Sequence, residues 1–312
     1  MKNIFPFFVV GLFFCATAFA ENPPWKNNET GTIIQARADL DVRWETAAKF
    51  PGKVWTYQLL PNNFSPEIIS NVAALCSFTE KDLSEHRLNG VDFRSNDGSR
   101  KLSISFPSGE IHYEATEPHY NPTNLAVGVP KESELPALTT NVLRKLRINF
   151  TDIVGWIGTN KIDYTAGGRT YFIGDTTITN ITYRRVYFRR SVEGIPIVGG
   201  FQSFNVGEHG KVSALSIVWP KLERIKSYPT ISRSKVIECL RKGDAMRGPV
   251  PMNVLDPDWS RIKSVTIKKA VPSYLVNNNR LYPFLRLDAA IDTGHEIVVV
   301  GIDCPIIDET KL

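Results

Sequence analysis

The chain has 312 residues, of which 42% are hydrophobic and 22% charged, and carries a formal net charge of +5. This is an ordinary globular composition with enough chain for a buried core in one large domain or two. The positive balance is too mild to argue for nucleic acid, although it suits contact with an acidic surface.

Residues 1–20 read as a cleavable export signal. Lys2 gives a small positive start, Ile4 to Phe19 form an apolar run broken only by Pro6, Gly11 and Thr17, and Ala18-Phe19-Ala20 fits the small-x-small cleavage rule. The run is short for a span of roughly 20 apolar residues and no charged stop follows it. Phe14, standing before Cys15, does not fit a lipid-attachment site. Cleavage after Ala20 would leave 292 residues (312 minus 20) with no second run of membrane-spanning length. The expected product is soluble and exported, either periplasmic or secreted.

Loss of Cys15 leaves Cys76, Cys239 and Cys304, an odd number for an oxidising compartment. At most one internal bridge can form. A Cys76–Cys239 bridge would close a long loop and contribute roughly 4 to 5 kcal/mol. Three buried thiols acting as small hydrophobes account for the same residues. N-x-S/T sequons begin at Asn28, Asn63, Asn149 and Asn180 and matter only in a glycosylating host.

Residues 21–52 read as an exposed arm or linker, polar and Pro-containing up to about Arg37, with regular structure starting near Val54. An N-terminal unit, 53–128, opens its helix at Ser65-Pro66, an N-cap followed by a proline in the first turn, with Ile68, Val72, Leu75 and Cys76 on one face. Leu102, Ile104 and Phe106, a Pro-Ser-Gly turn at 107–109, then Ile111, Tyr113 and Ala115 alternate as a hairpin with one wet side. A central unit, 129–225, begins with a helix from Ser133, with Leu135, Leu138, Val142 and Leu146 spaced by three and four. Strands at 181–190, 198–206 and 211–219 follow as an antiparallel meander with turns at Glu193-Gly194 and Glu208-His209-Gly210. A C-terminal unit, 226–312, has a helix from Ser232 to Arg241, with Val236, Ile237 and Leu240 inward and Gly243 as its C-terminal cap. Its strands fall near 262–270, 281–289 and 296–303. The fold class expected is α+β: one helix followed by two or three antiparallel strands, about three times over.

Residues 186–220, VYFRRSVEGIPIVGGFQSFNVGEHGKVSALSIVWP, carry a strand, Gly194-Ile195-Pro196-Ile197, Gly199-Gly200, a second strand, Gly210, and a third strand ending at Trp219. This punctuation resembles the PepSY and FTP modules found ahead of thermolysin- and fungalysin-type peptidases and in other exported bacterial proteins. The likeness extends over about 181–303. It implies an inhibitor, folding aid or regulator of an attached or neighbouring protein, although no peptidase follows here. Locally, Gly194 permits a tight turn, Pro196 fits an edge or bulge, and Gly199-Gly200 allows close backbone approach.

Catalytic patterns are sparse. His295-Glu296 starts a zinc-hydrolase string but continues Ile-Val-Val-Val, and His86, His112, His119, His209 and His295 lack ligand spacing. Ser108 sits in a hairpin turn rather than a nucleophile elbow. Cys76 and Cys239 lie on or near apolar helix faces, and Cys304 has no activating base beside it in sequence. Glu110 and Glu114 share the wet face of a strand. Ala166-Gly167-Gly168-Arg169 lacks the ending of a phosphate loop and reads as a hairpin turn. No metal or cofactor is expected.

The most distinctive surface feature is the strand TYRRVYFRR, in which Tyr183, Arg185, Tyr187 and Arg189 share one face and Arg184, Val186, Phe188 and Arg190 the other. Tyrosine and arginine together are what protein interfaces favour. A solvated strand whose arginines pair with neighbouring acids carries the same pattern. The sequence thus points to an exported, non-enzymatic module that binds or restrains an extracytoplasmic protein, with a peptidase as one partner class. The alternatives are an exported hydrolase with an unrecognised site and a carrier of a small ligand.

Overall fold

A computed structural model of the chain describes residues 32–33, 36–155, 161–199, 202–247 and 261–308. The export signal and Gly200 lie outside these described residues. The first strands are β1 (Thr32–Ile33), β2 (Asp41–Trp44) and β3 (Lys53–Leu60), followed by helix α1 (Pro66–Leu75). Next come β4 (Leu83–Arg87), β5 (Gly90–Arg94), β6 (Arg100–Ser105), β7 (Glu110–Ala115) and helix α2 (Leu135–Lys145). After them run β8 (Ile153–Val154), β9 (Asp163–Ile173), β10 (Thr176–Val192), β11 (Ile195–Val198), β12 (Gln202–Val206), β13 (Val212–Val218) and β14 (Lys221–Pro229). Helix α3 (Arg233–Lys242), β15 (Met246–Arg247), β16 (Ser264–Asn277), β17 (Arg280–Asp292) and β18 (Ile297–Pro305) complete the order.

The α+β expectation is overturned. Strands hold 51% of the described residues and helices 18%, and the strands join in a large mixed sheet rather than in three separate helix-on-sheet units. One antiparallel tract runs β4–β5–β6–β7–β13–β12–β10–β9. The second centres on β16, β17 and β18, with β3 and β14 continuing from β17, and β2 and β11 lying parallel to β16. β11 also pairs with β10 and so links the tracts. Two physical causes separate this from the sequence reading. Several strands outrun their clear apolar alternation, β10 reaching 17 residues through Thr176–Thr179, where β-branched side chains suit a pleated backbone. Pairings such as β7 with β13 and β3 with β17 also cross the expected unit boundaries, and local periodicity carries no register for them.

The local signals were sound. The Ser65 hydroxyl accepts the amide of Ile68 at 3.3 Å, the Ser232 hydroxyl accepts that of Lys235 at 3.3 Å, and Gly243 closes α3 at φ 76°. The arm contributes more than expected, since Leu40 is buried in the core beneath α3 and β2 pairs with β16.

Val72, Cys76, Val142 and Leu146 bring α1 and α2 onto one core with Leu102, Ile104, Ile111, Val186, Phe188, Phe204 and Leu215 of the first tract. Each fully buried side chain of this size contributes roughly 1.5 to 3 kcal/mol. Val236 and Leu240 of α3 cover Ile267, Leu285, Leu287 and Ile302 in the second.

Residues 66–83 recur at 136–153, an offset of 70 (136 minus 66), with Pro66/Pro136, Asn71/Asn141, Val72/Val142 and Asp82/Asp152 identical. The backbone follows suit. Ser77 and Arg147 both turn left-handed, at φ 59° and 54°. Phe78 and Ile148 then donate back to Ala73 and Leu143 at 2.8 and 2.9 Å. Each segment closes in a 3₁₀ turn, Glu80–Asp82 or Phe150–Asp152. α1 and α2 touch each other and share the core face of the β7–β13 pair with Ile111, Tyr113, Leu215 and Ile217, whereas His112, paired with Ser216, belongs to the opposite face.

Candidate functional site

β10 alternates as its sequence demands. Val186 and Phe188 point into the core with no exposed surface. Tyr183, Arg185, Tyr187 and Arg189 occupy the opposite face and are half-buried. Arg185 donates through Nε to Asn205 Oδ1 at 2.9 Å, and its guanidinium lies 5.5 Å from the Tyr183 ring centre. Arg189 is pulled below the usual guanidinium range by burial and by the positive charge of Arg286, with Asp163 opposing. Arg184 and Arg190, on the core side, escape the apolar interior by reaching backbone carbonyls, those of Pro130 at 3.3 Å and Pro220 at 2.5 Å.

Cross-strand pairing extends this outer face into a polar row. Asp163, Tyr187, Ser203, Ser216, His112 and Ser103 stand side by side on six adjacent strands. The small side chains of Ser203 and Ser216 leave Tyr187 and His112 as the taller features of the row.

The glycine pair at 167–168 is corrected by the structure. It lies inside β9, and the hairpin turns at Gly174-Asp175 instead. Close approach explains the glycines. A Cβ on Gly167 would stand 2.1 Å from Tyr183 Cζ, and one on Gly168 would stand 2.1 Å from the Asn180 carbonyl oxygen. Gly167 therefore makes room for the Tyr183 ring. The other glycines sit in turns, Gly194 at φ 80° after Glu193 at 53°, Gly199 at 86° and Gly210 at 70°. Two expectations are corrected. Pro196 lies in β11, which is paired on one side by β10 and on the other by β16 and so is no edge. A Cβ on Gly199 would meet nothing within 4 Å, so its left-handed φ rather than close approach explains the glycine.

The Tyr183–Arg190 stretch lies between two clefts. Beside Tyr183, midway along β10, a cleft of about 520 Å³ is walled by Tyr113, Tyr120, Tyr183, Glu117, Glu208 and Lys211. Burial pushes the Tyr113 hydroxyl up to about 12. Burial raises Tyr120 as well, with the carboxylates of Glu208 and Glu117 adding to the effect. At the other end a cleft of about 760 Å³ lies between Arg190-Ser191, Tyr57 of β3, and Lys221 to Arg224 of β14. No local signal joined Tyr57 to Ser191, because the two meet only through pairings between distant strands.

The remaining sequence candidates stay apart. All five histidines are exposed, and the nearest acid to His112 is Glu114, at 3.9 Å. Among the described residues no three His, Cys, Asp or Glu side chains converge as a metal site requires, and no helix is long and apolar enough to cross a membrane. Ser108 stays in its turn, donating to Ser105 Oγ at 3.0 Å. No disulfide joins Cys76, Cys239 and Cys304, and all three are buried. Cys76 belongs to the core beneath α1 and α2, whereas Cys239 sits on α3 near Cys304, whose thiol is pushed well up by burial first and by Cys239 next.

No protein-family model and no curated protein matches this sequence.

Proposed function

We propose that this chain is an exported, non-enzymatic module that binds and restrains another extracytoplasmic protein, a peptidase being the partner class suggested by its PepSY- and FTP-like segment. The observation that carries the reading is the half-buried face of Tyr183, Arg185, Tyr187 and Arg189, which opens at one end onto a cleft lined by three tyrosines. Tyrosine and arginine give large contact area at low ordering cost, together with directional hydrogen bonds. The acids and bases around the Tyr183 cleft suit a partner segment that is itself polar.

The test is affinity capture from the host's envelope fraction with the mature chain and with a Tyr187→Ala/Arg185→Glu double variant, alongside inhibition assays on host envelope peptidases. The reading expects a partner retained by the native chain and lost from the variant. Equal capture by both, with no peptidase slowed, refutes it.

A further inference from the structure

We propose that the cleft between β3, β14 and the end of β10 binds a carboxylate carried on an apolar body, a second site independent of the partner-binding face. The first observation is unmet hydrogen-bonding capacity inside the protein. Tyr57 is 3% exposed and Ser191 3% exposed and both line the cleft; among the described residues the Ser191 hydroxyl makes no hydrogen bond, and the Tyr57 hydroxyl has only the Arg224 guanidinium and the Tyr274 hydroxyl beside it. Native proteins leave few buried polar atoms unsatisfied, and the Ser191 hydroxyl on this cleft wall marks a place where a bound group completes the network.

The second observation is a poorly compensated cation. Arg190 lies on the same wall, held by the Pro220 carbonyl and by the face of Trp219 at 4.5 Å. Among the described residues no carboxylate lies within ion-pairing distance of it. Burial pulls its guanidinium down to about 10, with Asp152 opposing. It remains charged at neutral pH with donors left over, and a guanidinium fork matches a carboxylate edge.

Charge and shape narrow the class. Three bases, Arg190, Lys221 and Arg224, face three acids, Asp152, Glu193 and Glu223, and Arg224 is already tied to Glu193. A doubly charged phosphate would meet those acids at short range, whereas one carboxylate matches the one uncommitted guanidinium. Leu60, Val192, Leu222 and the Tyr57 ring supply apolar wall for the rest of the molecule. The volume lies within the usual range for small-molecule sites.

Free small acids and peptide C-termini share this chemistry, so the probes are N-acetylleucine, N-acetylleucinamide and a leucine-ended pentapeptide, titrated into the mature chain by calorimetry. The expected result is saturable binding of the carboxylates, with the amide weaker by about tenfold or more. Tighter binding of the pentapeptide assigns the source to a chain end, and tighter binding of N-acetylleucine assigns it to a free acid. Tyr57→Phe keeps the ring packed edge-on against Tyr274 at 5.5 Å and removes only the hydroxyl. It should weaken the acid by about five- to tenfold. Ser191→Ala should act in the same direction. The proposal fails if no carboxylate saturates, if the amide binds equally well, if Tyr57→Phe leaves the affinity unchanged, or if inorganic phosphate displaces the acid at lower concentration.

Discussion

Adding one methyl group at either of two adjacent glycines separates the binding face from the fold. In Gly167→Ala the new Cβ falls 2.1 Å from Tyr183 Cζ, 2.4 Å from its hydroxyl oxygen and 2.5 Å from Cε2, all at the far end of a side chain that can swing away. The displaced ring loses its contact with Arg185, about 0.5 to 1 kcal/mol for an exposed cation–π pair. Alanine recovers about 0.4 to 1 kcal/mol by restricting the unfolded chain. The two terms nearly cancel, so global stability should move by less than about 1 kcal/mol. In Gly168→Ala the Cβ falls 2.1 Å from the Asn180 carbonyl oxygen and 2.9 Å from Ile181 Cα, which are backbone atoms of the paired strand. Neither can rotate away, and the Ile181↔Gly168 register must open, at about 1 to 3 kcal/mol. Urea denaturation measures both, and hydrogen exchange at residues 176–183 locates the damage. Gly167→Ala should lose partner capture with a near-native midpoint, and Gly168→Ala should lower the midpoint and unprotect the hairpin. Equal destabilisation by the two substitutions would refute the geometry.

Other consequences are as direct. Phe188→Ala, in the centre of the first core, should cost about 3 to 5 kcal/mol in denaturant melts, where a loss under 1 kcal/mol would contradict its complete burial. Ser77→Gly and Arg147→Gly should each stabilise by about 1 kcal/mol, because both relieve a left-handed residue at corresponding places in the recurring segment. Asp97 accepts hydrogen bonds from Ser95 Oγ at 2.6 Å, Ser99 N at 3.0 Å and Ser99 Oγ at 2.8 Å, which hold its carboxyl down at about 2. A lowered acid favours the fold above its unfolded range, so this turn's contribution should be present above about pH 4 and fade as pH falls toward 2. Carboxyl titration by NMR in Ser95→Ala should return Asp97 toward ordinary values. Any bridge formed on refolding in a glutathione buffer should join Cys239 to Cys304, and peptide mapping that finds Cys76–Cys239 would contradict the packing.

What the sequence disclosed was local. Ser65-Pro66, Ser232 and Gly243 marked helix ends because capping chemistry is written in adjacent residues, and the alternation from Leu102 to Ala115 marked the β6–β7 hairpin. The two faces of β10 were legible for the same reason, since Val186 and Phe188 need burial on one side. What stayed hidden depends on partners far along the chain. Gly167-Gly168 resembles a turn until Tyr183 is seen to occupy the space. The recurrence at Pro66/Pro136 and Asp82/Asp152 is thin in identities and becomes plain once Ser77 and Arg147 are seen at matching left-handed corners. Tyr57 and the Arg190-Ser191 pair carry no shared motif, because two strands far apart in the chain, β3 and β10, bring them to one cleft.

The central claim, that the outward face of β10 is where a protein partner sits, is tested most directly by site-specific photocross-linking. A benzophenone side chain placed at position 187 in the native host should yield one discrete adduct, and the same group at Leu88, exposed in the β4–β5 turn, should yield none. Adducts from position 88 with none from position 187 would put the interface elsewhere and contradict the account.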